Sequence, residues 1–159
     1  MIRFAMIGML LATALMAQPR CTLGQVSGTY VVYYTGWATM AQEGSPLPMA
    51  LPATIAGVMS IGGDGKLSGT QTLNVMGQVV EYEVDSGAVE LKPDCTGTMR
   101  TKFKVKGAGQ APGEVVERFA ALPHLQKIIT SLLTTNSPAG GVTNGIWERM
   151  SPVPNAAAW

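Results

Sequence analysis

Alternation dominates the chain after its first twenty residues. In "EYEVDSGAVEL" and "TMRTKFKVK" (within residues 81–106), apolar and charged residues take turns with the period of two that sends successive side chains to opposite faces of a β-strand. A tight turn at Pro93-Asp94 sets Glu81 opposite Lys106, Glu83 opposite Lys104 and Asp85 opposite Lys102. Opposite charges facing each other across antiparallel strands contribute roughly 0.2–1 kcal/mol per pair. The same pairing puts Tyr82 opposite Val105 and Val84 opposite Phe103 on the other face, which is predicted to be the interior. A slip by one residue would exchange the two faces, so the charges help to fix register. A bulge at Gly87 would change individual partners but not the faces.

The same reading extends along the chain. "VSGTYVVYYTG" (26–36) is β-branched and aromatic and bounded by glycine. "ATIAGVMSIGGDGKLSGTQTLNVMG" (53–77) reads as two strands across Gly62-Gly63-Asp64-Gly65, where residues that accept positive φ mark a hairpin. "QVVEYEVDSGAVEL", "TGTMRTKFKV", "EVVERFAALP" and "VTNGIWERM" supply four more. "PHLQKIITSLLTT" (123–135) has two readings. Leu125, Ile128, Ile129 and Leu132 share a helical face, whereas the β-branched Ile128, Ile129 and Thr130 favour the strand that we predict. Eight strands with short connections predict an all-β antiparallel barrel or sandwich. "EGSPLPMALP" (43–52), with three prolines, is predicted to be an irregular loop.

Two strands break the apolar/polar division. In "YVVYY" both Tyr30/Val32/Tyr34 and Val31/Tyr33 are apolar or aromatic, and in "TIAGVMSI" Ile55/Met59/Ile61 alternate with Ala56/Val58. A sheet with one solvated side shows a polar set, so these outer faces are expected to be covered, by a second subunit or by the chain's own tail.

The chain begins "MIRFAMIGMLLATALMAQPRC": one early arginine, an apolar run from Phe4 to Ala17, then a polar cluster. That layout is a secretory signal cleaved after Ala17, and the run is shorter than the roughly 20 residues a membrane-spanning helix needs, so no membrane anchor is expected. The expected organisation is a signal over 1–17, one domain over 18–152 and a flexible tail over 153–159, in a secreted or periplasmic protein. Of the 11 basic and 10 acidic residues, the signal removes only Arg3, which leaves ten against ten. This balance gives no electrostatic case for nucleic acid. Cys21 and Cys95, an even number in an exported chain, read as one disulfide, the alternative being two buried free thiols.

Catalytic signals are sparse. His124 is the only histidine and follows Pro123 in a predicted turn, so a Ser-His-Asp arrangement would rest on one loop residue. Two cysteines 74 positions apart and one histidine do not make zinc spacing. "GGDGKLSG" lacks the strand-loop-helix setting of a phosphate loop, and Asp64 alone does not supply the oxygens of a calcium loop. Glu81, Glu83 and Asp85 are accounted for by ion pairing. No catalytic residue, metal or cofactor is therefore expected. Apolar material is plentiful: Trp37 and Met49 lie in or beside the proline-rich loop, and Tyr82 and Phe103 point inward. These four are the candidate ligand-binding residues. A packed core is the alternative, because an eight-stranded barrel is wide enough for side chains or for one small ligand.

The order of motifs carries a resemblance. A cysteine after the signal, then "LGQVSGTYVV", "IGGDGKLSGTQT", "LKPDCTGTM" and "TNGIWERM", resembles small exported bacterial proteins of unknown function with a "DCTGT" motif. Those proteins are similar in shape to calycin barrels such as lipocalins and allene oxide cyclase. The similarity spans nearly the whole mature chain. It departs at Ala88-Val89, where an aromatic-containing step is usual, and in the proline- and methionine-rich first loop. The resemblance implies an antiparallel eight-stranded calycin-like up-and-down barrel, export, and a Cys21–Cys95 bridge. It carries over no catalytic residue. The expected function is non-enzymatic binding of a small apolar ligand in the barrel mouth, beneath residues 36–52. A self-assembling homo-oligomeric structural subunit is the alternative, and a cofactor-free cyclase- or isomerase-like enzyme the third reading.

Overall fold

A computed structural model describes residues 20–40, 49–108, 113–122, 124, 126–135 and 141–150. The expected signal (1–17), most of the proline-rich loop (43–48) and the tail (153–159) lie outside the described residues. A four-residue helix, α1 (Leu23–Val26), precedes eight strands: β1 (Gly28–Met40), β2 (Met49–Ile61), β3 (Leu67–Val75), β4 (Gln78–Leu91), β5 (Thr96–Val105), β6 (Gly113–Leu122), β7 (Lys127–Thr135) and β8 (Gly141–Arg149). Each pairs with its sequence neighbour, and β8 returns to β1, closing an antiparallel up-and-down barrel. Closure leaves no sheet edge to be protected.

Period two decides what fills the barrel. Tyr30, Val32 and Tyr34 of β1, Met59 and Ile61 of β2, Met99 and Phe103 of β5, Phe119 and Ala121 of β6, Ile128 of β7 and Trp147 of β8 are all buried and form one apolar core. Large inward side chains lie over inward glycines of the adjacent strand. Phe119 covers Gly97, Tyr34 covers Gly145, Leu67 covers Gly87 and Met59 covers Gly69. A Cβ at Gly97 would fall 2.6 Å from the Phe119 ring, so these glycines are the space that the large residues occupy. Alternation of large and small across neighbouring strands is how side chains interdigitate inside a small barrel.

One end of the barrel is shut. The Cys21–Cys95 disulfide ties the segment before α1 to the β4–β5 turn, and the Cys21 N–H donates to the Pro93 carbonyl at 3.0 Å. Val26, 2% exposed, seals this end, and Arg149 donates to the Gln25 carbonyl (2.7 Å) and the Tyr30 hydroxyl (2.9 Å). Tyr30 in turn donates to the Val26 carbonyl at hydrogen-bond distance, so the helix, β1 and β8 are laced together. At the opposite end the inward residues Ile55, Leu73, Val80, Tyr82, Val84, Val115 and Leu132 are only half-buried.

The predicted charge register holds on one side of a bulge. Tyr82 pairs with Val105, Glu83 with Lys104 and Val84 with Phe103, but the pairing shifts between Val84 and Ser86, so Lys102 faces Ser86. The expected Asp85–Lys102 pair is therefore replaced: Lys104 meets Glu83 at 3.1 Å and Asp85 at 3.9 Å, while Lys106 meets Glu81 at 2.9 Å. The extra residue sits at Asp85 and not at Gly87, which is taken up beneath Leu67. The strand reading of 127–135 is correct. The irregular stretch expected over 43–52 is shorter, since residues 49–52 extend β2. Pro52 pairs with Trp37 before the β2–β3 pairing begins at Ala53, so its missing N–H breaks no bond to β3. Val26, read as the first residue of a strand, closes α1 instead.

Candidate functional site

Among the described residues the buried polar side chains are Gln71, Thr101, Glu117 and Thr130, and the last two stand together with Tyr34 and Trp147. β1, β8 and β7 run side by side with Tyr34, Gly145 and Thr130 directly opposite one another. Without a side chain at Gly145, the Tyr34 ring and the Thr130 hydroxyl come together over its backbone; a Cβ there would lie 2.4 Å from the ring and 2.6 Å from the hydroxyl. Trp147, two residues on and therefore on the same face, donates its indole N–H to the Tyr34 hydroxyl at 2.8 Å. Tyr34 faces the Glu117 Oε2 at 3.3 Å. Glu117 enters from β6, opposite Met99 of β5 and Leu132 of β7, where the β6–β7 register shifts by one residue.

The hydrogen-bond chain has a direction. An indole nitrogen only donates, so the Tyr34 oxygen is the acceptor for Trp147 and its one proton is directed to Glu117. Thr130, 1% exposed, lies near enough to both Tyr34 and Glu117 to bias them electrostatically, yet its hydroxyl meets no partner at hydrogen-bond geometry.

Glu117 is 4% exposed. Burial pushes its carboxyl up to about 7, against the smaller downward pull of the neighbouring Thr130 and Tyr34 hydroxyls. Among the described residues no cation lies at ion-pair distance from it. The inward-facing cation of the closed end, Arg149, is engaged by Tyr30 and Gln25. Tyr34, also buried and beside the carboxyl, titrates well above the ordinary phenol range and stays protonated. A carboxyl that changes charge near neutrality, in apolar surroundings and next to an unsatisfied hydroxyl, can either accept from a bound cationic or hydroxylic group or exchange a proton with it.

The residues predicted from sequence are distributed differently. Tyr82 and Phe103 meet edge to face with centroids 6.4 Å apart, on the inward side of β4 and β5. Met49 is at the start of β2 and exposed; Trp37 is on the outward register of β1 and 53% exposed. His124 is exposed in the β6–β7 connection. Cys21 and Cys95 are bridged. Among the described residues no three His, Cys, Asp or Glu side chains stand together as a metal site.

Sequence reasoning passed over Glu117, Tyr34, Thr130 and Trp147. A signal for Glu117 was present: in "EVVERFAAL" it shares its alternation with Val115, Phe119 and Ala121, a charge on an otherwise apolar face. Neither a search of protein-family models nor a search of curated proteins returned a match to the chain.

Proposed function

We propose that the protein is an exported, non-enzymatic receptor for a small, mainly apolar molecule, held inside the barrel with Glu117 as its polar anchor. The observation that supports this is a buried carboxyl with no cation and a buried hydroxyl with no partner among the described residues, in a barrel shut at one end and only half-buried within at the other. An uncompensated buried polar group costs stability, and packing gives no return for it. A ligand supplies the missing partner. Tyr82 and Phe103 offer aromatic contact nearer the half-buried end, since Phe103 pairs with Gly113, four residues along β6 from Glu117. The disulfide and the absence, among the described residues, of any helix able to cross a membrane are compatible with an oxidising compartment outside the cytoplasm.

The test uses the mature chain carrying Trp37→Phe and Trp159→Phe, which leaves Trp147 as the one tryptophan of three. Titration with the neutral probe N-phenyl-1-naphthylamine is expected to give saturable probe fluorescence with quenching of Trp147. Removing the aromatic pair by Tyr82→Ala and Phe103→Ala is expected to weaken it by about tenfold, given that such pairs contribute roughly 0.5–1.5 kcal/mol beyond burial. No saturable response overturns the reading.

A second reading, self-assembly, is favoured by the outer surface. Ala56, Tyr33, Ile146, Ile129 and Ala120 lie directly across five neighbouring strands, with Val31 opposite Val58 beside them. Tyr33 is 51% exposed and Ile146 48%. The outer face of β4 and β5 instead carries Glu83, Asp85, Lys102 and Lys104, so the apolar surface is one-sided and does not form the girdle of a membrane barrel. Sedimentation velocity is expected to show concentration-dependent association that Tyr33→Glu abolishes. A monomer at every concentration removes this reading.

A further inference from the structure

The receptor reading leaves open what the ligand carries at its polar end, and the direction of the hydrogen bonds around Glu117 bears on it. Trp147 donates to Tyr34, and Tyr34 donates to Glu117. One donor, the Tyr34 hydroxyl, is thus aimed at the carboxyl oxygen with Trp147 fixing its direction, and a hydrogen bond donated to a carboxyl stabilises its ionised form. Burial opposes it, and nothing among the described residues supplies the positive charge that would tip the balance. The Thr130 hydroxyl beside it has free lone pairs and is sealed from solvent. The polar end of the site thus presents acceptors.

Resting on the receptor reading, we propose that the barrel takes an amine-headed ligand, whose ammonium group pairs with the Glu117 carboxylate and donates to Thr130 while its apolar body runs toward Tyr82 and Phe103. The span from Glu117 to the level of Phe103 is four residues of β6, about 13 Å at the rise of a strand. A chain of about eight carbons fits within that length. Aromatic walls fit the same head chemistry, since rings attract cations at their faces.

The groups that face Glu117 are few. β1 contributes Tyr34, which stays protonated; β7 contributes Thr130 and Leu132; β5 contributes Met99 and Thr101; and β8 contributes Trp147 and Gly145. Glu117 is the one group among these that titrates near neutrality. An ammonium head binds the ionised carboxyl, so its affinity rises with pH until the carboxyl is fully ionised. A carboxylate head needs the protonated form, so its affinity falls over the same range.

The experiment is competition of n-octylamine, 1-octanol and octanoate against bound N-phenyl-1-naphthylamine between about pH 5.5 and 8.5. Octylamine is expected to bind tightest, its affinity rising by up to about tenfold per pH unit below about pH 7 and levelling above it. Octanol is expected to be flat, and octanoate to weaken. Glu117→Gln is expected to remove both the octylamine preference and its pH slope. The wild-type comparison of the three heads stands by itself should that variant fold poorly. Equal or tighter binding of octanoate at pH 8, or a pH-independent octylamine affinity, overturns the amine assignment. Binding of the naphthyl probe in that case leaves the receptor reading intact, whereas its failure to bind removes both.

Discussion

Replacing both Cys21 and Cys95 by alanine is expected to lower the unfolding free energy by about 4 kcal/mol, read as a shift of the urea midpoint at unchanged slope. The bridge joins residues 74 apart, and tying so long a loop removes conformational freedom from the unfolded chain, an effect of about 4 kcal/mol in the chain-entropy account. The loss is expected to be selective in structure as well. Cys21 holds the segment that leads into α1, and α1 places Val26 over the closed end. Hydrogen exchange in the double variant is therefore expected to rise first in residues 21–27, ahead of the strands. An unchanged midpoint would mean that the bridge adds nothing to a barrel already closed by eight ladders.

Cys95 also has backbone reasons to be where it is. Its φ is 65°, in the left-handed region that costs a non-glycine residue roughly 1–2 kcal/mol. The β2–β3 turn shows what normally stands there: Gly65, φ 81°, occupies the equivalent position. The two turns match bond for bond. Asp64 Oδ1 accepts from the Lys66 N–H and Asp94 Oδ1 from the Thr96 N–H; Gly65 donates to Gly62 O and Cys95 to Lys92 O. The carbonyls of Gly65 and Cys95 then accept from Val89 and Ala121 on the next even-numbered strand, and Gln126, φ 54°, does the same for Arg149. Three hairpins at the closed end thus share one device, and the disulfide is built into one of them. The variant Cys21→Ala with Cys95→Gly is accordingly expected to be about 1 kcal/mol more stable than the double alanine.

How much of this was legible follows from which signals are local. Strand periodicity and the Gly-Gly-Asp-Gly and Pro-Asp turns are written in neighbouring residues, and they place all eight strands. The bulge at Asp85 is not, because its consequence, Gly87 lying beneath Leu67, involves a residue of the neighbouring strand. The turn repeat was visible in "GGDGK" and "KPDCT", each an aspartate followed by the residue with positive φ. The site was less legible. Trp37 and Met49 are large apolar residues near a loop, but β1 sends Trp37 outward and Met49 is exposed. Glu117 was readable as the one charge among Val115, Phe119 and Ala121. Its partners were not, since Tyr34, Thr130 and Trp147 come together only when β8 closes against β1 and Gly145 lets them approach.

Glu117 makes the fold less stable as pH rises, the reverse of what a paired carboxylate does. Its folded value of about 7 lies above the ordinary 4.5, so between these two the unfolded chain releases a proton that the folded chain keeps. Unfolding is then favoured progressively from about pH 4.5 to about pH 7, by about 3 kcal/mol in all at 1.36 kcal/mol per pH unit, and the loss is constant above that. Other perturbed groups act elsewhere on the scale. Asp64 and Asp94 are held below the usual aspartate range by hydrogen bonds from Lys66 and Thr96 respectively, so their stabilisation is lost only under more acidic conditions. Lys106 is raised by its contact with Glu81 and matters only in strong alkali. Glu117→Gln keeps an acceptor for Tyr34 and removes the titration. Urea unfolding of this variant is expected to be flat from pH 5 to 7 where the wild type declines. At pH 8 the variant is expected to exceed the wild type by up to about 3 kcal/mol, or roughly 5–10 °C in Tm. A wild-type stability that does not fall across that window would mean that Glu117 is compensated in the folded state. The case for a ligand that completes it would then lose its physical basis.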